Sequence, residues 1–415
     1  MKRFLIAIII GGLAVFSGCG NESDPYPETL DYREVAEYQE RAEAGEAEAQ
    51  FVLGSMYQDG TDGLVQNFEQ AIYWYRLSAE QGYAAAQNSL GYLHQHGLWL
   101  TQDHNQAVYW FRLAAEQGDS KGQNNLGFSY QNGLGLQQDF NQAVYWFRLS
   151  AEQGDPMGQL NLGASYHHGL GIPQDYSQAV HWFRLAAEQG NAAGQNVLGF
   201  FYQHGLGIPQ DHNQAIHWYR LAAEQGNIAG QSNLAYCYSH AVGVMQDLEQ
   251  AAYWFQKAAE QGDVFSQNTL ALMYMLGSGV PEDFEQAAYW YLQAAEQGSA
   301  HAQDYLAYMY YNGLGKPVDF VQAGYWFRRA AEQEYGLSQI MLGVMYLEGN
   351  GVPQDYVQAA NWFRLAAEQG YPEGQENLGY MYLHGLGVPQ SDEMAEFWGM
   401  LALEGMLAAE GIFLE

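Results

Sequence analysis

Apolar and polar positions follow a block of 36 residues that recurs along most of the chain. In the block at residues 119–154, apolar and small side chains first recur with the i, i+3, i+4, i+7 spacing of one helix face. This spacing predicts a helix, which we call helix A, over residues 120–132. Glycine within a helix costs up to ~1 kcal/mol, so its presence on this face indicates a close helix crossing. The predicted buried face consists of Gln123, Leu126, Gly127 and Tyr130.

A second helix, helix B, is predicted over residues 140–153 of the same block. Glycines between the two helices end helix A, because glycine adopts left-handed backbone angles at little cost. Asp139 is a typical N-cap, and Gln142 three residues later completes a capping-box pattern. Arg148 and Glu152 have the spacing of an i, i+4 pair on the outer face. The predicted buried stripe of helix B consists of Ala143, Trp146, Phe147 and Ser150.

The pair of Asp and Gln recurs at the start of later B helices. We therefore interpret these carboxylates as helix caps rather than as catalytic acids. The recurring pairs are Asp175/Gln178, Asp211/Gln214, Asp247/Gln250, Asp283/Gln286, Asp319/Gln322 and Asp355/Gln358.

Tryptophan marks the period of 36 without a slip. It occurs at Trp74, Trp110, Trp146, Trp182, Trp218, Trp254, Trp290, Trp326, Trp362 and Trp398. A fixed period of this length is typical of an array of helical hairpins, in which each repeat packs mainly on its neighbours. We predict ten repeats over residues 46–405, between an N-terminal capping helix at 30–45 and an apolar C-terminal cap at 406–415.

In three blocks another residue stands where a turn glycine is expected. Trp99 replaces the second loop glycine of repeat two, and Ala241 replaces the first loop glycine of repeat six. Glu334 stands where the terminal glycine of repeat eight is expected. We expect the turn at Glu334 to take a different form from the others.

The shared motif resembles the Sel-one-like repeat, a relative of the tetratricopeptide repeat. It reads L-G-x-x-Y-x-x-G-x-G-(I/V)-P-Q-D-(Y/F)-x-Q-A-x-x-W-(F/Y)-R-x-A-A-E-Q-G. The resemblance implies an all-α fold, a right-handed superhelical α/α solenoid of about ten 36-residue helix-turn-helix repeats with the A helices on the concave side. It also implies protein binding or scaffolding rather than catalysis, with members in bacterial envelopes assembling complexes or contacting host proteins.

The charge balance excludes one class of partner. The chain has 47 Asp and Glu against 15 Lys and Arg, a formal net charge of −32. Without a basic patch, nucleic-acid binding is not expected, and anionic lipid surfaces should repel the protein. Two interpretations of the charge stay open: it keeps the protein soluble, or it favours basic protein partners.

The N-terminus has the features of a lipoprotein signal. Lys2 and Arg3 precede an apolar run over residues 4–15, which is too short to span a bilayer as a finished helix. A Ser-Gly pair then precedes Cys19, and this order resembles a bacterial lipobox. The resemblance implies lipidation of Cys19, with a plain secretory signal as the alternative. Acyl chains anchor at roughly 0.8 kcal/mol per buried CH₂.

These features divide the N-terminal region into two segments. We predict a signal peptide at residues 1–18 and a lipidated tether at residues 19–29. Gly20 follows the cysteine, and by resemblance to Gram-negative lipoproteins a residue other than Asp there implies sorting to the outer membrane. The expected location is the bacterial cell envelope, facing the periplasm or the cell surface, with membrane contact through the lipid only.

Catalytic and cofactor-binding motifs are absent. The chain has no G-x-S-x-G, no H-E-x-x-H, no Walker loop and no G-x-G-x-x-G that follows a strand. We therefore expect no enzyme activity and no cofactor. Some cysteine-rich relatives of the family have been assigned β-lactam-binding or β-lactam-hydrolysing activity, which is a minor alternative here because this chain lacks their paired cysteines. Cys237 occupies a slot that holds Phe or Met in other repeats, so we expect it to be a buried hydrophobe.

Histidines near the end of helix A invite a metal hypothesis. Adjacent helices lie roughly 9–10 Å apart, whereas zinc requires several ligands at about 2.1 Å from one ion. We expect a structural role for these histidines and no metal site, with partner contact as the alternative. The residues that share this position are His168, His204, His240 and His384.

The variable face of helix A is the predicted protein-binding site. Counted from the invariant Gln of each repeat, positions +2 and +9 point away from the core and position +5 points obliquely outward. In repeats two to six these positions are mostly polar or aromatic, and in repeats seven to nine they become apolar. The apolar segment is either an exposed binding patch or packing between repeats. The candidate residues are Tyr92, Phe128, Phe200, Tyr236, Leu272, Leu276, Tyr305, Tyr308, Met341 and Val344.

Together these features predict a non-enzymatic protein-interaction scaffold, lipid-anchored in the cell envelope. It would hold a protein or peptide on the helix A face. The alternative is a surface-exposed factor that binds a host protein.

Overall fold

The computed structural model of the protein describes residues 32–61 and 63–409, where the regular structure consists of 21 helices. The first helix is α1 (Tyr32–Glu43). The A helices follow with even numbers: α2 (Ala47–Asp59), α4 (Ala84–His96), α6 (Ser120–Asn132), α8 (Pro156–His168), α10 (Ala192–His204), α12 (Ile228–His240), α14 (Val264–Leu276), α16 (Ala300–Asn312), α18 (Gly336–Glu348) and α20 (Pro372–His384). The B helices have odd numbers: α3 (Phe68–Glu80), α5 (His104–Glu116), α7 (Phe140–Glu152), α9 (Tyr176–Glu188), α11 (His212–Glu224), α13 (Leu248–Glu260), α15 (Phe284–Glu296), α17 (Phe320–Ala331), α19 (Tyr356–Glu368) and α21 (Asp392–Ala409).

Both chain ends extend past the described residues. The predicted signal peptide, the lipidated tether and Cys19 all lie outside them. At the other end α21 runs to Ala409, so residues 406–409 of the predicted C-terminal cap continue this helix, and residues 410–415 lie outside the described range. The described residues contain no helix with the length and apolar character needed to cross a bilayer.

The chain divides into two compact units, unit 1 up to Gly230 and unit 2 from Gln231 onward. In each unit A and B helices alternate, and nearly all of them pack on the next helix in chain order. Within unit 1, A helices of successive repeats also touch one another. This alternating stack of helix pairs is an α-solenoid, so the predicted fold class is confirmed.

The helix bounds in one repeat agree with the spacing of the sequence. Helix α6 has the predicted bounds, and α7 ends one residue before the predicted end. A carboxylate oxygen of Asp139 accepts from the backbone N–H groups of Asn141 (2.9 Å) and Gln142 (3.1 Å), which confirms the cap. The reciprocal half of the capping box does not form, because Asp139 donates its own N–H to the carbonyl of Tyr130 (3.0 Å). That bond ties the loop to the end of helix A.

A glutamine network explains two invariant positions whose bonding the sequence pattern did not predict. Gln123 is 4% exposed and donates to the carbonyl of Ala115 in the preceding repeat (3.3 Å). Its side-chain oxygen accepts from Gln153 at the end of α7 (2.7 Å). One buried amide thus joins three helices, and buried polar groups persist only when satisfied in this way. The same pair of bonds recurs in later repeats, as with Gln303 and Gln333 (2.8 Å).

Glycine on helix A allows the close crossing that the spacing predicted. A Cβ at Gly127 would lie 2.7 Å from Cδ1 of Phe147 and 3.1 Å from the carbonyl oxygen of Ala143. Phe147 and Leu126 are fully buried. The phenyl ring of helix B therefore occupies the space that the missing side chain leaves.

The buried stripe of helix B differs from the prediction at the tryptophan. Phe147 and Ser150 are fully buried, and Val144 joins them, but Trp146 is only half buried. At 100° per residue, position 146 is rotated by about 100° from the centre of the stripe. The indole therefore lies at its edge, beside the exposed ring of Tyr145, and its Nε1 is buried without a hydrogen-bond partner.

Two expectations about surface residues are wrong. Arg148 and Glu152 form no ion pair; Nη2 of Arg148 instead donates to the hydroxyl of Tyr166 in the next repeat (3.4 Å). The turn at Glu334 has the same form as the others, because Glu334 itself adopts a φ of 64°. Trp99 and Ala241 also take positive φ, 56° in both cases.

Candidate functional site

On the A helices, the predicted site residues to be compared between the two units lie at positions +5 and +9, counted from the invariant Gln of each repeat. In unit 1 the aromatic side chains at +5, Tyr92, Phe128 and Phe200, are half buried. In unit 2 those of Tyr236, Tyr308 and Tyr380 are 37%, 47% and 49% exposed. Of these, Tyr380 was not among the predicted site residues, although it occupies the same position as the others.

Four of the aromatic residues at +5 form a ring pair with the histidine at +9. The spacing is i, i+4, which places the two side chains one above the other on a helix. Ring centroids are 4.1 Å apart in the most parallel pair, Tyr236 and His240. Sequence reasoning assigned these histidines to the helix end and missed the pairs, although an aromatic residue four positions before a histidine would have indicated them. The other pairs are Tyr92/His96, Phe200/His204 and Tyr380/His384.

Burial affects the charge of two of these histidines. It lowers the pKa of His96 and His204, so their rings are neutral at neutral pH. A neutral ring that stacks on an aromatic neighbour presents a flat surface with polar edges. This surface suits contact with an aromatic or amide group better than with an anion.

Repeats seven to nine do not form one continuous apolar patch. Leu276 is 64% exposed, whereas Leu272 is half buried. Tyr305 and Met341, at position +2, pack against the core of unit 2, and Val344 packs against the core that follows. Position +2 therefore serves packing between repeats, and of the candidate site residues in this segment the exposed ones are Leu276 and Tyr308.

The same position +2 carries a polar contact in unit 1. Asn161, which is 7% exposed, donates from Nδ2 to Oδ1 of Asn124 in the preceding repeat (2.8 Å). Asn125 donates to Asn88 in the same way (2.8 Å). The spacing places position +2 on the side of helix A away from the core, but these asparagines bond successive A helices to one another.

Stacking explains the different behaviour of Tyr305. Its ring lies 5.1 Å from that of Tyr291, at an interplanar angle of 15°. Tyr291 is fully buried and its hydroxyl has no hydrogen-bond partner. Burial raises the pKa of Tyr291 well above its usual value, so the hydroxyl stays protonated.

Residues 32–61 and 63–409 contain no group of three or more His, Cys, Asp or Glu side chains that could hold a metal ion. The rings of His167 and His168 lie 4.4 Å apart, but two histidines do not close a site. Burial, and secondarily the neighbouring His168, lower the pKa of His167 to about 4. Cys237 is fully buried as predicted, and burial raises the pKa of its thiol to about 12, so it is not a nucleophile at neutral pH.

Comparison with known proteins identifies the repeats. A family model described as "Sel1 repeat" matches ten consecutive segments: 47–83, 84–119, 120–155, 156–191, 192–227, 228–263, 264–299, 300–335, 336–371 and 372–399. No curated protein matches this chain.

Solved structures give two extended similarities. A Sel1 repeat protein from Oxalobacter formigenes is 32% identical over 80% of this chain and 99% of that one, with a TM-score of 0.55. A protective antigen present in uropathogenic Escherichia coli strains, displaying an SLR fold, is 37% identical over 91% of this chain and 90% of that one, with a TM-score of 0.47.

Proposed function

Because this chain belongs to the Sel1 repeat family, whose members are generally protein-interaction scaffolds, we propose that it is a non-enzymatic scaffold. Its binding face would be the exposed side of the A helices in unit 2. The partner would be a protein or a peptide.

The exposed side chains of these A helices carry the proposal. Tyr236, Leu276, Tyr308 and Tyr380 lie at +5 or +9 of four repeats, and each is between 37% and 64% exposed. Tyrosines are enriched at the centres of protein interfaces because they bury a large area with few rotatable bonds. The corresponding aromatic residues of unit 1 are already half buried, so they offer less area to a partner.

Photocrosslinking in living cells tests the binding face. A photoreactive amino acid replaces Tyr308 or Tyr380 in one set of variants. In the control set it replaces Tyr109 or Tyr145, which lie on B helices and are 54% and 53% exposed. We expect discrete adducts from the first set only. Equal adducts from both sets, or none from positions 308 and 380, would contradict the assignment.

The location is a second part of the proposal and rests on the sequence alone. The apolar run at 4–15 followed by Ser17, Gly18 and Cys19 supports a lipid anchor in the cell envelope, with the outer membrane as the destination. A chain with a net charge of −32 gains little from an anionic bilayer, so the acyl chains would be its only membrane contact. Cys19→Ser should release the protein from the membrane fraction. Protease treatment of intact cells then separates surface display from a periplasmic orientation.

A further inference from the structure

Three neighbouring B helices of unit 2 carry the same aromatic pair on their outer face. A tyrosine precedes the recurring tryptophan and packs edge-on against it, with ring centroids 4.9 Å apart in each case. The tyrosine of each pair is 49% exposed. The pairs are Tyr253/Trp254, Tyr289/Trp290 and Tyr325/Trp326.

In two of these repeats the chain places its own cation on the pair. The guanidinium carbon of Arg329 lies 5.8 Å from the ring centres of both Tyr325 and Trp326. Its Nη1 also donates to the hydroxyl of Tyr325 (3.0 Å). In α13, Nζ of Lys257 lies 5.8 Å from the ring centre of Tyr253. These are cation–π distances.

The middle repeat has Gln293 at the position of Lys257 and Arg329. Gln293 lines a cleft of about 460 Å³. Tyr289 and the nearly buried Trp290 line this cleft, together with Glu260 and Glu296.

The charge of the cleft is not balanced from within its own helix. Helix α15 contains Glu285 and Glu296 and no basic residue. On the other wall, Glu260 has Lys257 at 3.6 Å, in a pair that is half exposed and therefore weak. Within residues 32–61 and 63–409, Glu296 lies in no ion pair.

We propose that this cleft binds an arginine side chain from a basic segment of a partner protein. The chain's own Arg329 shows that a guanidinium fits the equivalent aromatic pair. A planar guanidinium stacks on an aromatic ring and can also hydrogen-bond a carboxylate, which suits a cleft with both. The cleft lies mainly between the B helices α13 and α15, and its one contribution from an A helix, Gln267, is the buried glutamine of that repeat rather than a residue of the exposed face proposed above.

The probe is a capped pentapeptide with one central arginine, titrated calorimetrically into the full-length protein. The matched peptide carries citrulline, which keeps the shape of the side chain and removes its charge. We expect at least ten-fold weaker binding of the citrulline peptide, and binding of equal strength would overturn the proposal. Free arginine is titrated in parallel; if it binds as tightly as the peptide, the ligand is a free guanidino compound rather than a protein segment.

Two substitutions should have opposite effects on the number of clefts open to an arginine side chain. Gln293→Arg copies repeat eight and should fill the cleft, which lowers the affinity for the arginine peptide at least ten-fold. Arg329→Gln copies repeat seven and should open a second site, which raises the stoichiometry from one to two. Leu149→Arg makes the same change of charge at the equivalent position of unit 1 and should leave binding unchanged. If Leu149→Arg weakens binding as much as Gln293→Arg, binding of the peptide depends on the net charge of the protein, and the cleft is not the binding site.

Discussion

Unit 1 and the first repeats of unit 2 accommodate the same aromatic side chain of helix B in different ways. In unit 1 the ring of Phe147 lies against Gly127 of its own helix A. In unit 2, Ala271 stands at the glycine position, and the ring of Tyr291 stacks on Tyr305 of the next helix A. A methyl group at the glycine position of unit 1 would lie within 2.7 Å of the ring. The alanine thus excludes the arrangement of unit 1.

The difference extends to the seam between successive A helices. Where the ring stays with its own repeat, position +2 is free to carry asparagine, and Asn161 bonds to Asn124. Where the ring turns to the next repeat, position +2 carries Tyr305, and the seam becomes aromatic. The methyl group of Ala271 in one repeat is therefore accompanied by an aromatic rather than a polar contact at position +2 of the next repeat. This coupling between repeats can be tested.

The largest expected effect is that of Gly127→Ala, which places the alanine of unit 2 into unit 1. The new Cβ would meet the ring of Phe147 and a backbone carbonyl that cannot move away. We expect a loss of roughly 2–3 kcal/mol in the free energy of unfolding, in the upper part of the usual range for overpacking. Hydrogen exchange of the amides of α6 and α7 measures it locally, which suits an array whose repeats can open separately.

Gly399→Ala is the matched control for that substitution. It lies inside α21, and a Cβ there would meet nothing within 4 Å. The same change should stabilise the helix by about 0.5–1 kcal/mol, because alanine is the better helix former. If both substitutions stabilise the protein, the packing of the Phe147 ring does not require glycine at position 127.

The second prediction concerns acid. Unit 1 carries His167 at a position that holds Met275, Tyr311 or Leu347 in unit 2. The pKa of His167 is lowered to about 4, so between about pH 6.5 and about 4 the unfolded chain binds more protons than the folded one. The stability of this repeat is therefore complete above about pH 6.5 and falls as the pH drops towards 4. We expect a loss on the order of 1–2 kcal/mol, since the imidazole is only half buried and solvent screens the charge.

Hydrogen exchange at pH 7.5 and pH 4.5 checks this loss in the wild type and in His167→Gln. Glutamine is the residue at this position in the four other repeats of unit 1, Gln58, Gln95, Gln131 and Gln203. The other titrating groups are common to both proteins and cancel in the difference. An equal acid sensitivity of the two proteins would show that His167 is not the cause.

Periodicity predicted most of the fold, because each repeat meets nearly the same neighbours. The helix bounds, the Asp caps and the need for Gly127 all followed from one block. The stacking of Tyr305 on Tyr291 did not follow from it, because Tyr305 has the same position on helix A as Asn161. What distinguishes them is a contact with the preceding repeat, and this depends on Ala271, a residue 34 positions away in the chain. The cleft at Trp290 was not predicted for a similar reason. The tryptophan recurs in every repeat, and the residue that differs from the neighbouring repeats is Gln293.

The third prediction compares two buried tyrosines. The hydroxyl of Tyr219 in unit 1 donates to Oε1 of Gln203 (2.8 Å), whereas that of Tyr291 in unit 2 has no partner. Met275 replaces the glutamine in that repeat. Tyr219→Phe should cost about 1 kcal/mol, the usual net value of one hydrogen bond, and Tyr291→Phe should be neutral or stabilising by a similar amount. Local hydrogen exchange measures both, and equal losses would show that the hydroxyl of Tyr291 is satisfied in solution.

The smallest expected effect concerns two turns in which a residue other than glycine adopts the same positive φ. Ala241 and Trp99 both adopt a φ of 56°, where a residue with a Cβ is disfavoured. Ala241 is exposed, so its methyl group contributes little packing, and Ala241→Gly should stabilise its repeat in unit 2 by about 0.5–1 kcal/mol. Trp99 stacks on Phe68 with ring centroids 3.4 Å apart, so in Trp99→Gly the loss of stacking offsets the relief of strain, and the net change should be zero or destabilising. Opposite signs in thermal or urea unfolding would show that unit 1 holds its irregular turn by an aromatic contact. A gain from both substitutions would mean that the stack contributes nothing and that strain alone sets the stability of these turns.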